Sequence, residues 1–282
     1  MRKLIDPHVH LFDLDNGNYH WLSEDSSPKW PDKQAIRKSF NVADLFLDKP
    51  FSLEGFVHIE AGFDNDEPWR EIEWLEGSIE LPFKSVAYID VTSPSFSADL
   101  EKITQYPSVV GIRYILDDDA ARILSSDQVK QNFALLERQG LLFEAQISLG
   151  CIESVSALSL MMAEFPQLKV ILNHCGMPEA LNDAWMQGVM QLAQYPECYV
   201  KCSGWEMFDR EWDVEQVKPL IDFVIRQFGL TRVMLASNFP VSELGRSYVD
   251  VWKLYFAGMN WKGFEQEMLF FENAQRIYGF DI

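Results

Sequence analysis

Apolar residues along the chain fall into short runs separated by longer amphipathic stretches. The runs cover residues 4–10, 55–61, 84–90, 109–116, 141–147, 168–174, 199–203 and 232–237. They are the right length for buried strands. Between them the apolar spacing predicts helices over 69–80, 127–139, 152–165, 183–194 and 214–228, then over 247–256 and 264–278. Gly140 and Gly229 follow helical patterns and should cap them, while Pro166 and Pro196 stop helices before the next strand. Strands alternating with helices predict a parallel sheet with crossover helices. Eight such units in 282 residues favour an α/β fold of the closed (βα)8 (TIM) barrel type, over residues 1–282 as one domain. No glycine-rich phosphate loop opens a helix, which argues against a dinucleotide-binding sheet.

One connection is long. Residues 11–50, roughly 40 positions where a few are usual, separate the first two strands and carry Trp21, Pro28, Trp30 and Pro31. A helical turn is expected at 42–47. At the C-terminal face of a barrel this segment would form a lid or pocket wall.

Strand side chains alternate between faces with period two. On that rule Asp6, His8 and His10 share a face, as do Phe56, His58 and Glu60 on the second strand. Val86, Tyr88 and Asp90 align on the third strand; Val109, Gly111 and Arg113 on the fourth; Leu142, Glu144 and Gln146 on the fifth. Val170, Leu172 and His174 align on the sixth, Lys201 and Ser203 on the seventh, and Met234, Ala236 and Asn238 on the eighth. Polar members gather at the C-terminal strand ends, where barrel enzymes carry their chemistry and barrel-shaped binding proteins their ligands.

His8-Val9-His10 places two imidazoles about 7 Å apart on one face, and His174 ends another strand. Three neutral histidines with Glu60 would suit Zn²⁺ or Mn²⁺ with open water positions; the same histidines can polarise a carbonyl without metal. Arg113 and Lys201 offer cations for substrate oxygens, or are ion-paired with Asp90 or Glu144. Gln146 can donate to and accept from a hydroxyl.

Charge narrows the partners. Twenty-four Lys and Arg against 43 Asp and Glu give −19, which repels nucleic acid and anionic membranes and leaves a small-molecule substrate. No signal peptide or membrane-spanning run is legible, and four cysteines without a CxxC pair read as reduced thiols, so a cytoplasmic protein is expected.

The segment Asp6-Pro7-His8-Val9-His10-Leu11-Phe12-Asp13 resembles the opening of the amidohydrolase-related proteins, in the branch that holds sugar-lactone and pyrone-dicarboxylate lactonases. Gly111-Ile112-Arg113, Phe143-Glu144-Ala145-Gln146, the stretch from Val170 to Pro178, Lys201-Cys202-Ser203-Gly204, Ser237-Asn238-Phe239-Pro240-Val241 and the closing Asn273-Ala274-Gln275-Arg276-Ile277-Tyr278-Gly279 extend it along the chain. The resemblance implies a distorted barrel that hydrolyses lactones. It also implies that His8, His10 and His174 surround the reacting carbonyl, through a divalent metal in some members and directly in others. The family's eighth strand ends in Ser-Asp-x-Pro, whose Asp is the general base. Here that position is Asn238, and an amide cannot take a proton from water. Glu60 is the leading substitute base, then His58, then Asp90. The expected function is lactone hydrolysis, with Arg113, Gln146 and Lys201 holding substrate. The alternatives are a metal-dependent decarboxylase on the same barrel and a catalytically silent ligand-binding barrel.

Overall fold

A computed structural model of the chain describes residues 2–282. Eight parallel strands run in sequential order: β1 (Arg2–Val9), β2 (Phe51–Ile59), β3 (Phe83–Tyr88), β4 (Val109–Ile115), β5 (Leu142–Gln146), β6 (Val170–Leu172), β7 (Cys198–Cys202) and β8 (Val233–Leu235). The barrel closes where Asn238 N–H donates to His8 O (3.1 Å) and His10 N–H donates to Phe239 O (2.7 Å). Asp6 ties the same seam, accepting from the Ser237 amide and hydroxyl. The architecture is the expected TIM barrel.

The crossovers are α1 (Trp69–Ser78), α2 (Phe96–Ile103), α3 (Ala120–Leu124), α4 (Asp127–Gln139), α5 (Ile152–Glu164), α6 (Asp183–Leu192), α7 (Val214–Phe228) and α8 (Tyr248–Gly258). Each buries apolar residues on one side; the short α3 packs chiefly against α5. In α7 the stripe is Val217, Leu220, Ile221, Val224 and Phe228, and a capping box between Asp213 and Gln216 starts the helix. Helix α2 was not among the expected elements: its stripe is only Phe96, Leu100 and Ile103, spread over eight residues. Gly140 caps α4 in the left-handed region (φ 68°), as expected, whereas Gly229 (φ 80°, ψ 152°) turns the chain out of α7 without forming that cap. The expected terminal helix is broken into α9 (Gly263–Glu267), a π-turn (Met268–Glu272) and α10 (Asn273–Tyr278). No helix among the described residues is long and apolar enough to cross a membrane.

The barrel interior has a layer of Ile5, Val57, Ile59, Val86, Leu142, Ile171, Tyr199 and Met234, one or two from most strands. Phe271, Ala274, Ile277, Tyr278 and Phe280 from the C-terminal segment close it from below. Gly111 on β4 exists because Leu142 leans across it: a Cβ there would lie 2.5 Å from the Leu142 carbonyl oxygen and would overlap the Leu142 side chain. Gly111→Ala is therefore expected to destabilise the protein by about 1–3 kcal/mol in urea unfolding. A loss below about 0.5 kcal/mol would show that the strands part freely here.

Alternation expectations fail on three strands, for identifiable reasons. On β1 Ile5 faces inward, so Asp6 does not share the face of His8 and His10; it binds Ser237 on the seam, and a register shift after Asp6 turns His8 toward the cluster. On β2 the inward residues are Val57 and Ile59, so His58 faces outward to α1, where Nε2 meets Glu71 Oε1 at 3.1 Å. On β6 the inward residue is Ile171, with Asn173 continuing that face; simple alternation would send His174 outward with Val170 and Leu172. A left-handed turn at His174 (φ 51°) and Cys175 (φ 53°) brings the imidazole back to the mouth.

Candidate active site

A cavity of about 680 Å³ opens at the C-terminal strand ends. His10, Glu60, Arg113, Gln146, His174 and Asn238 line it, six of the eight residues singled out from the sequence. The other two, His8 and Lys201, are fully buried beneath it. The long 11–50 connection supplies Trp21, Ser27, Pro28 and Trp30 to the wall. It is anchored, not loose. Buried Lys33 donates to the carbonyls of Trp21, Ser23 and Ser26 (2.9, 2.8 and 2.7 Å), and Arg210 grips Asp32 through Nε (2.7 Å) and Nη2 (2.9 Å). The turn expected at 42–47 is a short 3-10 turn, Val42–Asp44.

The histidines form one cluster. His8 Nε2 and His10 Nε2 lie 3.1 Å apart, and the His8 ring centroid is 4.9 Å from that of His10 and 4.6 Å from that of His174. Burial pushes all three ring pKa values down, and nearby cations add to it: Lys201 for His8, Arg113 for His10, both for His174, which falls to about 3. The three imidazoles are therefore neutral at physiological pH. His10 Nδ1 sits 2.9 Å from Ile59 O and 3.2 Å from Glu60 O. Carbonyls only accept, so Nδ1 carries the proton and Nε2 a lone pair. His8 Nε2–H then donates to His10. His174 Nδ1 is held by Ser203 Oγ at 3.0 Å. With that hydroxyl donating, His174 keeps an Nε2–H for a ligand.

The cations are both committed. Arg113 donates from Nε to Glu60 Oε1 (2.8 Å) and from Nη2 to Glu60 O (2.9 Å). Lys201 donates to both oxygens of Glu144 (2.6 and 2.5 Å), which also accepts from Tyr278 OH (2.7 Å) and Asn173 Nδ2 (2.6 Å). Of the partners expected from sequence, Glu144 is the one Lys201 takes, while Arg113 takes neither Asp90 nor Glu144. Lys201 does not reach the cavity, because this pair lies wholly inside the barrel.

The substitute bases separate clearly. Glu60 lines the cavity, and burial raises its carboxyl pKa despite Arg113. His58 has both ring nitrogens engaged, Nδ1 accepting from Leu11 N–H (3.3 Å) and Nε2 at Glu71. Asp90 accepts from Thr92 and does not line the cavity. Sequence reasoning missed Asp117, which lines the cavity in a strained left-handed conformation (φ 37°) and accepts from Gln146 Nε2 at 3.1 Å. It also missed Glu206, buried beside Asn238. The only sequence signal for Glu206 was an acidic residue just after a strand-end Gly204, which is too common to single out.

The donor set meets the demands of a metal site only in part. Metal-bound histidines donate their second N–H to a carbonyl or carboxylate; His10 Nδ1 does so, whereas His8 Nδ1 is buried with no partner. Glu60 is held by Arg113. Among the described residues no group of three or more His, Cys, Asp or Glu side chains converges on a point that would hold an ion.

The amidohydrolase family model matches residues 5–280. An uncharacterized protein of Sinorhizobium fredii is 33% identical over 98% of this chain and 98% of its own length. The L-fucono-1,5-lactonase of Burkholderia ambifaria is 24% identical over 89% of this chain and 86% of its own. Among solved structures, a zinc-bound amidohydrolase from Burkholderia multivorans superposes with a TM-score of 0.80 at 19% identity, over 98% of this chain and 99% of that one.

Proposed function

From the premise that the chain belongs to the amidohydrolase family, we propose that this member hydrolyses a neutral, hydroxyl-bearing lactone. The observation that carries the reading is the neutral histidine cluster beside Glu60, a carboxylate of raised pKa, at the wall of one cavity. The lactonase name of the Burkholderia ambifaria relative supports the reaction type.

The chemistry follows from the donors. Glu60 takes a proton from water while the water oxygen bonds to the lactone carbonyl carbon; a base with a pKa moved toward neutrality is suited to this. His174 Nε2–H donates to the developing oxyanion, where a fixed donor in a water-poor site lowers the barrier. The ring C–O bond then breaks, and the leaving alkoxide takes the proton back from Glu60. The product is a hydroxy acid. Arg113 holds Glu60 in place, so it acts on the substrate only through that carboxylate. Gln146 can accept from and donate to substrate hydroxyls and Asp117 accepts from them, with Trp21 and Trp30 as apolar wall. With Arg113 paired and Lys201 sealed below, no uncompensated cation faces the cavity, and Asp117 disfavours a carboxylated substrate.

A panel of aldonolactones and dicarboxylate lactones, followed by acid release with a pH indicator, tests this. Release from neutral lactones, abolished in Glu60→Gln, is expected. No release from any lactone would sink the reading, and preference for the dicarboxylates would overturn the substrate class. Activity is also expected to survive exhaustive dialysis against a chelator. Loss on chelation with recovery in Zn²⁺ or Mn²⁺ would instead assign His8, His10 and His174 to a bound ion.

A further inference from the structure

The hydrolase reading leaves two buried polar side chains without a role, and they touch. Asn238 Nδ2 donates to Glu206 Oε1 at 2.6 Å. Both residues are buried, at 2% and 1% exposure, yet Asn238 lines the cavity. Neither is placed by accident. Asn238 is held in the left-handed region (φ 63°) by the seam with β1, and Glu206 sits on the 3-10 turn Trp205–Met207 that follows β7. Such strained conformations collect at functional sites.

An ionised carboxylate can only accept. While Glu206 is ionised, the Asn238 amide must turn its NH2 toward Glu206 and present Oδ1 to the cavity. A protonated Glu206 would do the reverse: its O–H would donate to Oδ1, and Nδ2 would swing outward. The two orientations are chemically opposite. Outward Oδ1 accepts a proton of an attacking water; outward Nδ2 donates and would compete for the lactone carbonyl.

We propose that Glu206 is a positioning residue that sets which end of the Asn238 amide faces the reacting centre, and that its ionised form gives the water-orienting arrangement. The inference rests on the hydrolase reading for the role of the water, but the geometry of the pair stands without it. It also accounts for the amide at position 238. An aspartate there would set two carboxylates 2.6 Å apart, a distance at which they share a proton and do not both ionise. Burial raises the Glu206 pKa to about 7, against lowering contributions from Asn238 and Arg210, so the orientation changes over near neutral pH. The titratable and charged groups near Glu206 are Arg210, in the loop just after its turn, which donates to Glu206 O, and Tyr255 of α8, which accepts from Trp205 Nε1 at 2.7 Å. Asp6, with a pKa near 6, binds the neighbouring Ser237.

Two measurements test the pair. In selectively ¹⁵N-asparagine-labelled protein, the side-chain NH2 signals absent from Asn238→Ala identify Asn238. These signals are expected to shift through pH 5.5–8.5 in the wild type and to lose all but the Asp6-linked part of that shift in Glu206→Gln. Asp6 titrates in both proteins, so the comparison removes its effect. A pH-independent Asn238 amide in the wild type would overturn the proposal. On a hydrolysed lactone, kcat of the wild type should rise about tenfold as Glu206 ionises, with KM little changed, in addition to the limb set by the Glu60 base; Glu206→Gln should lose the Glu206 component and keep the Glu60 one. An unchanged acid limb in Glu206→Gln would overturn it as well. In Glu206→Gln/Asn238→Asp a single carboxylate is moved to position 238, and a limb at lower pH is expected to return. If no lactone is turned over while the Asn238 amide still titrates, the hydrolase reading fails and the pair stands.

Discussion

Replacing His174 with alanine is expected to lower kcat/KM on the lactone by about 10²–10³-fold, roughly 2.7–4 kcal/mol of transition-state stabilisation. The loss should fall on kcat. His174 is neutral, with its pKa pushed to about 3, so it cannot supply a full charge to bind the ground state. It supplies one fixed N–H that matters when the carbonyl oxygen becomes an oxyanion. Ser203→Ala, which frees the ring at Nδ1, should cost less, because the donor survives and only its tautomer and aim are loosened. Steady-state kinetics with circular dichroism as a folding control check both. If His174→Ala kept kcat within tenfold of the wild type, the donor role would have to pass to another group.

The largest stability effect is expected inside the barrel. Lys201→Met removes the cation from Glu144 and leaves a wholly buried carboxylate with two neutral donors, Tyr278 and Asn173. Breaking such a pair from one side costs about 3–5 kcal/mol, because the remaining charge is uncompensated. Lys201→Met/Glu144→Leu should recover most of that loss, since two apolar residues need no partner there. Urea unfolding midpoints at pH 7 measure both. A single-variant loss under about 1 kcal/mol would mean that Glu144 takes up a proton, or water, at little cost.

Much of this site was legible because a barrel turns chain order into geometry. Strand runs gave the eight-fold pattern, and polar residues at their ends gave His10, Glu60, Arg113, Gln146, His174 and Asn238, all of which line the cavity. What the sequence hid is where the two-residue period breaks. His174 belongs by alternation to the helix side and is returned by two consecutive left-handed residues, a conformation too uncommon outside glycine to be read from the sequence. Asn238 and Asp117 also lie at positive φ. His58 was misplaced because Phe56, His58 and Glu60 share a parity, yet β2 ends at Ile59 and Glu60 reaches the cavity from beyond the strand. Partner choice was equally hidden. Arg113 and Lys201 each had acidic candidates on neighbouring strands, and only register decides among them: Arg113 reaches back across β3 to Glu60 on the β2 end, and Lys201 reaches across β6 to Glu144 on β5. Glu206 and Asp117 lie in connections after strands, where a lone acid carries no sequence signal.

The tie between Tyr278 and Glu144 has a consequence for how the chain reaches this state. The two residues are 134 positions apart, and at a synthesis rate of about 5–20 residues per second the last donor follows its acceptor by roughly 7–27 s. During that interval β5 and β7 can pair their backbones across β6, but the floor of the barrel is missing and the carboxylate lacks one of its partners. The nascent barrel should therefore wait, compact and open at its lower end, until the helical turn that carries Tyr278 emerges. A fold whose floor comes from residues 271–280, so far downstream of the strands they seal, is vulnerable during synthesis to anything that delays that segment.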